Sequence, residues 1–380
     1  MGGEKRIRRV ATPGVALALA VAFLFGALRC GEPLEPAASG WVRYALFPEK
    51  CWRIVGTAAD LYWGDVYAAT GGKGHSAIWK YDGRGFSEDY VPPYERDEGW
   101  LTDIACAGST IWAAGGKNEG GRDSPYLIRN FRRSGWLEVP LATGRRGSIS
   151  AVHAASDLEC WFTIYDGYLR VINRRRGVLA RYNDGKVVVF ADLGDGTCAV
   201  SAEVTGWKRG RRVVFAVEAV GRGTRIGDSS VFVTDDGGAS WHEERLDFRS
   251  PVGKEVETVR AECALGTDLY LFVDFLNGYN GVVKRSGEAG RGEYELVFCA
   301  TKGPNFTWLN DVAVGDGGVN HSSGLAVGRE TSVVYDGADW RLEEVPYPVD
   351  IEYIAHASDG GFWASANDMI SGRSELLYHR

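Results

Sequence analysis

The chain has 380 residues, of which 45% are hydrophobic, 24% charged and 12% aromatic, and its formal net charge is −7. This apolar and aromatic content is enough for a packed core and excludes a disordered or fibrous protein. Only the N-terminal segment is apolar over a length that could interact with a bilayer, which excludes a polytopic membrane protein.

The first 30 residues have the order of a secretory signal. Four basic residues lie between Lys5 and Arg9, and the apolar run Val15 to Leu28 follows. About 14 apolar residues are short of the roughly 20 that span a bilayer, which favours a signal peptide over a permanent anchor. Cys30 is a candidate lipidation site, although Arg29 stands where a lipobox has a small residue. We expect a signal or anchor at 1–30, a linker at 31–39, and a protein that is secreted or attached to the cell envelope.

The charge of the exported part argues against nucleic acid as a partner. Residues 1–30 contain five basic residues and one acidic residue, so the rest has 38 Lys plus Arg against 49 Asp plus Glu, a net charge of −11. Such a surface repels phosphate backbones. The six remaining cysteines allow disulfides, but their spacing fits neither a metal site nor a redox motif, and their pairing stays open. We expect no metal and no cofactor.

Two short units recur along the chain. One is a strand, a turn and an aromatic residue, at residues 81–86, 133–136, 236–241, 290–294 and 335–340. The other precedes it and consists of a strand, a tight turn and a second strand that opens with an aromatic residue, at 104–112, 152–161 and 354–363. Together they form four short antiparallel strands, a to d, with a period of about 45 to 55 residues, which is typical of a β-propeller blade.

The repeats predict six complete blades and one incomplete blade. The complete ones are 51–93, 100–141, 148–192, 197–247, 255–300 and 307–347, and residues 350–380 supply three more strands. Trp41 to Phe47 matches the missing strand d, and pairing it with the last blade would remove two open sheet edges. We therefore predict an all-β fold, a seven-bladed β-propeller in which the N-terminal strand completes the C-terminal blade. It forms one domain at 40–380, and six or eight blades remain alternatives.

The 13 tryptophans divide into two groups. Regular spacing favours packing between blades for Trp79, Trp112, Trp136, Trp161, Trp241, Trp340 and Trp363. A residue that stacks on a ligand is expected among the less uniform ones, which are Trp41, Trp52, Trp63, Trp100, Trp207 and Trp308.

One turn resembles a known repeat family. Residues 234–241 fit the Asp-box pattern S/T-x-D-x-G-x-S/T-W through Thr234, Asp236, Gly238, Ser240 and Trp241. This is similar to the bacterial neuraminidase-type repeat of sialidases, sortilin-like receptors and photosystem II assembly propellers. The resemblance implies a propeller in which Asp236 accepts turn amides, Gly238 supplies an unusual backbone angle and Trp241 plugs between strands. In those families the box lies away from the binding face, so it implies architecture and not catalysis.

Catalytic motifs are largely missing. The resemblance implies that a sialidase would carry an early Phe-Arg-Ile-Pro motif. The nearest sequence in this chain is Trp-Arg-Ile-Val at 52–55, which lacks the Phe and the Pro. Nor does the chain contain a Gly-x-Ser-x-Gly elbow, a P-loop or a zincin motif. Asp103 and Asp311, in two Trp-Leu-x-Asp segments, are weak candidates for acid–base work where strand a enters the channel. The alternative is that each carboxylate caps its own loop.

The connections from b to c and from d to a should share one face, where propellers usually bind ligands. Basic residues in these loops, together with two tryptophans, are the predicted binding residues: Lys73, Lys117, Arg122, Arg222, Arg225, Trp100 and Trp308. A locally basic rim could receive an anionic glycan or an acidic loop of a protein. The sequence thus predicts an exported, non-catalytic binding or assembly module with a protein or glycan partner, in contact with membrane only through its N-terminus. The alternative is a glycan-active hydrolase or lyase with carboxylates at the channel mouth.

Overall fold

The computed structural model describes only part of the chain, and in some strands only the backbone. The described residues are 40–47, 53–56, 61–65, 76–81, 86–94, 98–107, 109–166, 176–195, 197–207, 210–219, 230–246, 249–250, 253, 256–265, 268–275, 279–300, 309–316, 322–328, 331–336, 339–346, 348–356, 361–371 and 373–379.

The described strands form seven four-stranded antiparallel sheets. The first described strand is β1 (Trp41–Phe47). Blade 1 contains β2 (Arg53–Gly56), β3 (Leu61–Asp65), β4 (Ala77–Tyr81) and β5 (Phe86–Tyr90). Blade 2 contains β6 (Gly99–Ala107), β7 (Thr110–Asn118), β8 (Asp123–Asn130) and β9 (Trp136–Glu138), with a 3₁₀ turn at Phe131–Arg133. Blade 3 contains β10 (Ser148–Ala154), β11 (Glu159–Asp166), β12 (Arg176–Asn183) and β13 (Lys186–Asp195).

The second half of the chain continues the pattern. Blade 4 contains β14 (Thr197–Trp207), β15 (Gly210–Ala219), β16 (Ser230–Thr234) and β17 (His242–Arg245). Blade 5 contains β18 (Val256–Leu265), β19 (Asp268–Phe275), β20 (Tyr279–Ser286) and β21 (Glu293–Ala300). Blade 6 contains β22 (Leu309–Asp316), β23 (Ser322–Gly328), β24 (Thr331–Tyr335) and β25 (Trp340–Glu344). Blade 7 contains β26 (Val349–His356), β27 (Phe362–Asp368) and β28 (Ser374–His379), with β1 beside β28.

The sheets are arranged around their first strands. Each first strand contacts the next one, in the order β2, β6, β10, β14, β18, β22 and β26, and β26 contacts β2. Because the strands alternate in direction, the connections from b to c and from d to a lie at one end of each sheet. We call this end the rim face, and the opposite end, with the a–b and c–d turns, the turn face. The predicted all-β propeller fold with antiparallel blades is confirmed.

Strand β1 contacts two blades. It pairs with β28 from Trp41 opposite His379 to Phe47 opposite Ser374, with a register shift between Arg43 and Ala45. The indole Nε1 of Trp41 donates to Ser332 Oγ of blade 6 at 3.0 Å. The N-terminal strand is therefore fixed by blade 6 as well as by its own sheet.

Aromatic rings join neighbouring blades at repeated positions. A ring on the second strand of one blade packs against a ring on the third strand, the fourth strand or the turn between them in the next blade. The ring pairs are Trp112–Tyr182, Trp161–Trp241, Tyr270–Trp340 and Trp363–Tyr81, with centroids 5.6, 6.2, 6.2 and 6.2 Å apart. The predicted packing role is confirmed for the tryptophans in these pairs.

Two fully buried arginines join blades 4 and 5. Arg212 donates from Nε to Asp235 Oδ1 at 2.6 Å and from Nη2 to the carbonyl of Gly287 at 2.6 Å. Arg285 donates from Nε and Nη2 to the two oxygens of Glu244, at 2.7 and 2.6 Å. Both guanidinium groups are 0% exposed. Charges this deep are tolerated only when paired and hydrogen-bonded, and these are.

Six of the seven first strands carry a register shift near their start. The shifts are at Leu101/Asp103, Ile149/Ala151, Ala199/Ser201, Val256/Thr258, Leu309/Asp311 and Ile351/Tyr353. A β-bulge redirects side chains and increases local twist. These positions lie at the rim-face end of the inner strands, so the bulges shape the surface around the centre of that face.

Candidate functional site

Three connections meet on the rim face of blade 2. Their described residues are 91–94 and 98, 119–122, and 139–147. The amide of Asn118 donates to the carbonyl of Glu98 at 2.6 Å, and the amide of Gly147 donates to the carbonyl of Asp123 at 3.0 Å. These hydrogen bonds hold the three connections together, and we call the resulting surface the blade 2 rim.

Trp100 lies on this surface over two glycines. A Cβ atom at Gly115 would overlap the backbone oxygen of Trp100, and one at Gly116 would overlap its indole ring. The same added atom would lie 2.9 Å from Cβ of Ser148, on blade 3. The indole is partly exposed. Glycine at 115 leaves room for the backbone of Trp100 and glycine at 116 for its ring, so the indole lies between blades 2 and 3.

A lysine and two carboxylates form a paired cluster on the blade 2 rim. Lys117 Nζ is 2.8 Å from Glu138 Oε1 and 2.6 Å from Glu119 Oε1. The hydroxyl of Tyr94 donates to Glu138 Oε2 at 2.9 Å. This side of the blade 2 rim is therefore a network in which the polar groups already pair with one another.

The pKa values of Lys117, Tyr126 and Tyr94 are all shifted further from neutral pH. Burial alone would lower the pKa of Lys117, but hydrogen bonds to Glu119 and Glu138 raise it above its ordinary value. Burial, followed by the hydrogen bond with Tyr90, raises the pKa of Tyr126 well above its ordinary value. Burial likewise raises the pKa of Tyr94. A charged lysine and neutral phenols suit binding better than proton transfer at pH 7.

Exposed arginines occupy the other side of the blade 2 rim. Arg122 lies in the turn between β7 and β8, and Arg145 and Arg146 lie in the connection from β9 to β10. Atoms added as Cβ at Gly120, Gly121 or Gly144 would meet nothing within 4 Å. The backbone at these glycines is therefore open to solvent. Arg145 and Arg146 were missed in the sequence, although a pair of arginines between two glycines is a visible signal of an exposed basic loop.

Asp103 holds the inner strands together. Its Oδ1 accepts the amide of Ile104 at 2.9 Å, and its Oδ2 accepts the amide of Val152 in blade 3 at 2.8 Å. The hydroxyl of Thr102, at the bulge, also reaches the carbonyl of Ile149 at 2.5 Å. Because both carboxylate oxygens accept backbone amides, the geometry gives Asp103 a structural role between two blades. This role is close to the alternative prediction, in which each carboxylate caps its own loop.

The remaining predicted residues cannot be placed. Asp311 lies in β22, but its side chain is outside the described part of the structure. Trp308, Lys73, Arg222, Arg225 and Cys30 also lie outside the described residues. Of the predicted binding residues, Trp100, Lys117 and Arg122 lie on the blade 2 rim.

The turn at 234–241 connects β16 to β17 on the turn face. Asp236 accepts the Ser240 hydroxyl at 2.6 Å, the Ser240 amide at 2.9 Å and the Thr234 hydroxyl at 2.7 Å. Gly238 has φ +98°, which a residue with a side chain rarely adopts, and its amide donates to Thr234 Oγ1 at 3.0 Å. The indole of Trp241 packs toward Trp161. The turn is thus a closed hydrogen-bonded unit facing away from the blade 2 rim.

We expect Asp236 to titrate with a pKa of about 2. Partial burial alone would raise the pKa, but hydrogen bonds from Ser240, then Thr234, lower it to about 2. A depressed pKa means that the carboxylate stabilises the turn above the ordinary aspartate range near pH 4, and that this contribution disappears as the pH falls through about 2. Carboxyl-detected NMR, with Asp236→Asn to assign the resonance, would measure the midpoint. A midpoint near 4 would contradict the hydrogen-bonded turn.

The described residues contain no group of three His, Cys, Asp or Glu side chains placed to hold a metal ion. Within the same part of the chain, no helix has the length and apolar character needed to cross a membrane.

Comparisons with known proteins support the fold. No protein-family model matches the chain, and no curated protein sequence matches it. A solved structure described as YCF48 bound to D1 peptide superposes with a TM-score of 0.59 at 13% identity, over 92% of this chain and 99% of that one. The chain is a β-propeller.

Two other solved propellers are similar over most of this chain. One is the β-propeller domain of the Trilobed protease from Pyrococcus furiosus, with a TM-score of 0.51 and 9% identity, over 87% of this chain and 93% of that one. The other is an acylaminoacyl peptidase from Pyrococcus horikoshii, with a TM-score of 0.51 and 10% identity, over 86% of this chain and 50% of that one. At these identities the likeness concerns the fold alone.

Proposed function

We propose that this protein is a non-catalytic binding or assembly module that receives a protein partner on its rim face. The observation that carries the proposal is the blade 2 rim, which presents the partly exposed Trp100 and three exposed arginines. An exposed aromatic ring and arginines are the residues that most often dominate binding to a partner. The similar propeller YCF48 is described as bound to a peptide, which agrees with this proposal.

We infer that the seven sheets form one closed ring of seven blades. The unbroken order of contacts between the first strands and the pairing of β1 with β28 support this arrangement. We also infer that the propeller belongs to the Asp-box group, because the turn at Asp236 has the hydrogen bonds that its sequence pattern implies.

We propose that the protein acts outside the cytoplasm. The support is the sequence of residues 1–30, which has the order of a secretory signal and ends at Cys30. On this proposal the propeller is secreted or attached to the cell envelope through its N-terminus, and its partner is an envelope or extracellular protein. The acidic net charge of the exported part is consistent with a protein partner rather than nucleic acid.

Site-specific photo-crosslinking in living cells tests the rim face as the docking face. A photoreactive phenylalanine derivative would replace Glu119, which is exposed on the blade 2 rim. We expect the full chain to form a discrete crosslinked protein adduct from this position, because a partner bound to the rim lies within reach of the probe.

The matched control places the same amino acid at Leu158, which is 39% exposed in a turn on the turn face. This position should give no such adduct. Equal adducts from both positions, or none from Glu119, would contradict a docking role for the rim face. An adduct that resists proteases and is cleaved by glycosidases would point to a glycan partner instead.

A further inference from the structure

We propose that this protein forms a symmetric dimer in which the outer edges of strand β13 from two copies pair with each other. The two strands run antiparallel about a two-fold axis at Val188, which joins blade 3 of both copies into one continuous sheet. This surface is separate from the rim face, so the inference goes beyond the proposed function.

The outer edge of β13 is regular and open. Among the described strands, β13 pairs with β12 only. The two strands are joined by a two-residue turn of Asp184 and Gly185, both with positive φ. The pair that flanks such a turn is hydrogen-bonded and the pairs then alternate, so Val187 and Val189 direct their N–H and C=O groups away from β12. These groups can bind a further strand.

The exposed middle of β13 carries no charge. The outer strands β5, β17, β21 and β25 expose charged side chains, which oppose pairing with another chain. In β13, residues 187–190 are Val-Val-Val-Phe. Pairing about Val188 sets Lys186 opposite Phe190 of the second copy, so no like charges meet. The same pairing of β5 or β17 about its centre would bring glutamates opposite one another.

The valines of this edge lie on both faces of the sheet. Val187 packs on the apolar cluster between blades 2 and 3, so Val189, two residues later, lies on the same side. Val188 lies on the opposite side, toward blade 4. Val188 and Val189 are 40% and 37% exposed. A strand added to the edge would therefore cover apolar surface on each face.

Blade 2 adds a further exposed apolar side chain. Trp136 of β9 contacts Tyr90 of blade 1, so the next residue, Leu137, points toward blade 3, and it is 62% exposed. Clustered exposed apolar residues mark a contact with another protein.

A second copy suits this edge because the two-fold axis is perpendicular to the sheet. Both copies then present Val187 and Val189 on the side that Leu137 faces, and the two Val188 side chains meet on the other side. The strand, its backbone groups and its uncharged sequence are thus complementary to themselves.

A cysteine at the two-fold axis tests this geometry directly. The two Val188 residues form a pair without hydrogen bonds, in which Cα atoms lie about 4.5 Å apart and a disulfide can form. Val188→Cys in the full chain, oxidised mildly with copper phenanthroline, should give a dimer on non-reducing gels that dithiothreitol reverses. The matched control is Val42→Cys, because Val42 is 46% exposed on the outer strand β1. It should give no more dimer than the unsubstituted chain, and equal dimer from both variants, or none from Val188→Cys, would overturn the proposal.

Sedimentation equilibrium measures the association without a crosslink. We expect the unsubstituted chain to approach twice the monomer mass as its concentration rises. Val188→Lys should raise the Kd at least about tenfold, because the two lysines face each other. Val42→Lys should leave the Kd unchanged, and since both valines are exposed, both variants should fold.

A monomer at every concentration, or equal weakening by both lysine variants, would overturn the dimer. The same holds if the chain is monomeric and a strand of another protein occupies the edge. None of these results involves the rim face, so each would leave the proposed function standing and remove only this inference.

Discussion

Replacing Arg285 with methionine should lower the free energy of unfolding by about 3–5 kcal/mol, because it leaves a buried carboxylate without its cation. Glu244 is 7% exposed and binds the guanidinium through both oxygens, at 2.6 and 2.7 Å. The Tyr294 hydroxyl at 2.6 Å and the Gly290 amide at 2.8 Å would remain, but they carry no full charge. Urea-induced unfolding at pH 7, followed by tryptophan fluorescence, would measure the loss.

The unfolding measurement is made at pH 7 because the pKa of Glu244 is lowered in the folded protein. Burial alone would raise the pKa of Glu244, but the hydrogen bonds from Arg285 and Tyr294 lower it below its ordinary value. A depressed pKa gives a stabilisation that is complete above the unfolded value near 4 and is lost as the pH falls through the lower folded value. The pair is therefore fully ionised at pH 7.

Two variants test whether the loss comes from the unpaired charge. Lys284, next to Arg285, has a side chain 32% exposed and pairs with Asp268 at 2.8 Å, so Lys284→Met should cost at most about 1 kcal/mol. The double variant Arg285→Met/Glu244→Leu removes both charges and should recover much of the stability. If the double variant is as unstable as the sum of its two single variants, the cost comes from lost packing and not from the isolated carboxylate.

The architecture could be predicted because it repeats. Strand patterns and turn residues recur in each blade, and the predicted blade 2 at 100–141 agrees with strands that run from Gly99 to Glu138. The buried arginines do not repeat. Lys284 and Arg285 are adjacent in a strand, and successive side chains point to opposite faces, so one charge had to face a neighbouring blade. Its partner Glu244, 41 residues earlier, could not be identified from local sequence.

Part of the candidate site could be predicted from the positions of the long connections. Trp100, Lys117 and Arg122 were identified because they lie in or beside long connections on the expected rim face. Arg145 and Arg146 follow a blade that was expected to end at residue 141, and the approach of their connection to the β7–β8 turn depends on the hydrogen bond from Gly147 to Asp123. The bulge before Asp103 was also unpredicted, because a single inserted residue leaves little trace in an alternating pattern.

Replacing Trp41 with alanine should lower the free energy of unfolding by about 3–5 kcal/mol. The indole is 5% exposed and packs with Leu325 and Val327 of blade 6. It also donates to Ser332 at 3.0 Å and meets the ring of His379 edge-on, with centroids 5.0 Å apart. Because β1 is the first strand and pairs with the last, losing this anchor should also free the edge of β28. Urea unfolding measures the stability, and hydrogen exchange of the β28 amides measures the local release.

Val42, next to Trp41, provides a control that distinguishes anchoring of β1 by the indole from a general effect of mutating this strand. Val42 is 46% exposed, so Val42→Ala removes apolar atoms from β1 without leaving a cavity and should change the stability by about 0.5 kcal/mol or less. Faster exchange in β28 with unchanged exchange in blades 2 and 3 would show that the strand detaches before the ring unfolds. If Trp41→Ala costs less than about 1 kcal/mol and leaves β28 protected, backbone pairing alone holds β1, and the contacts with blade 6 contribute little.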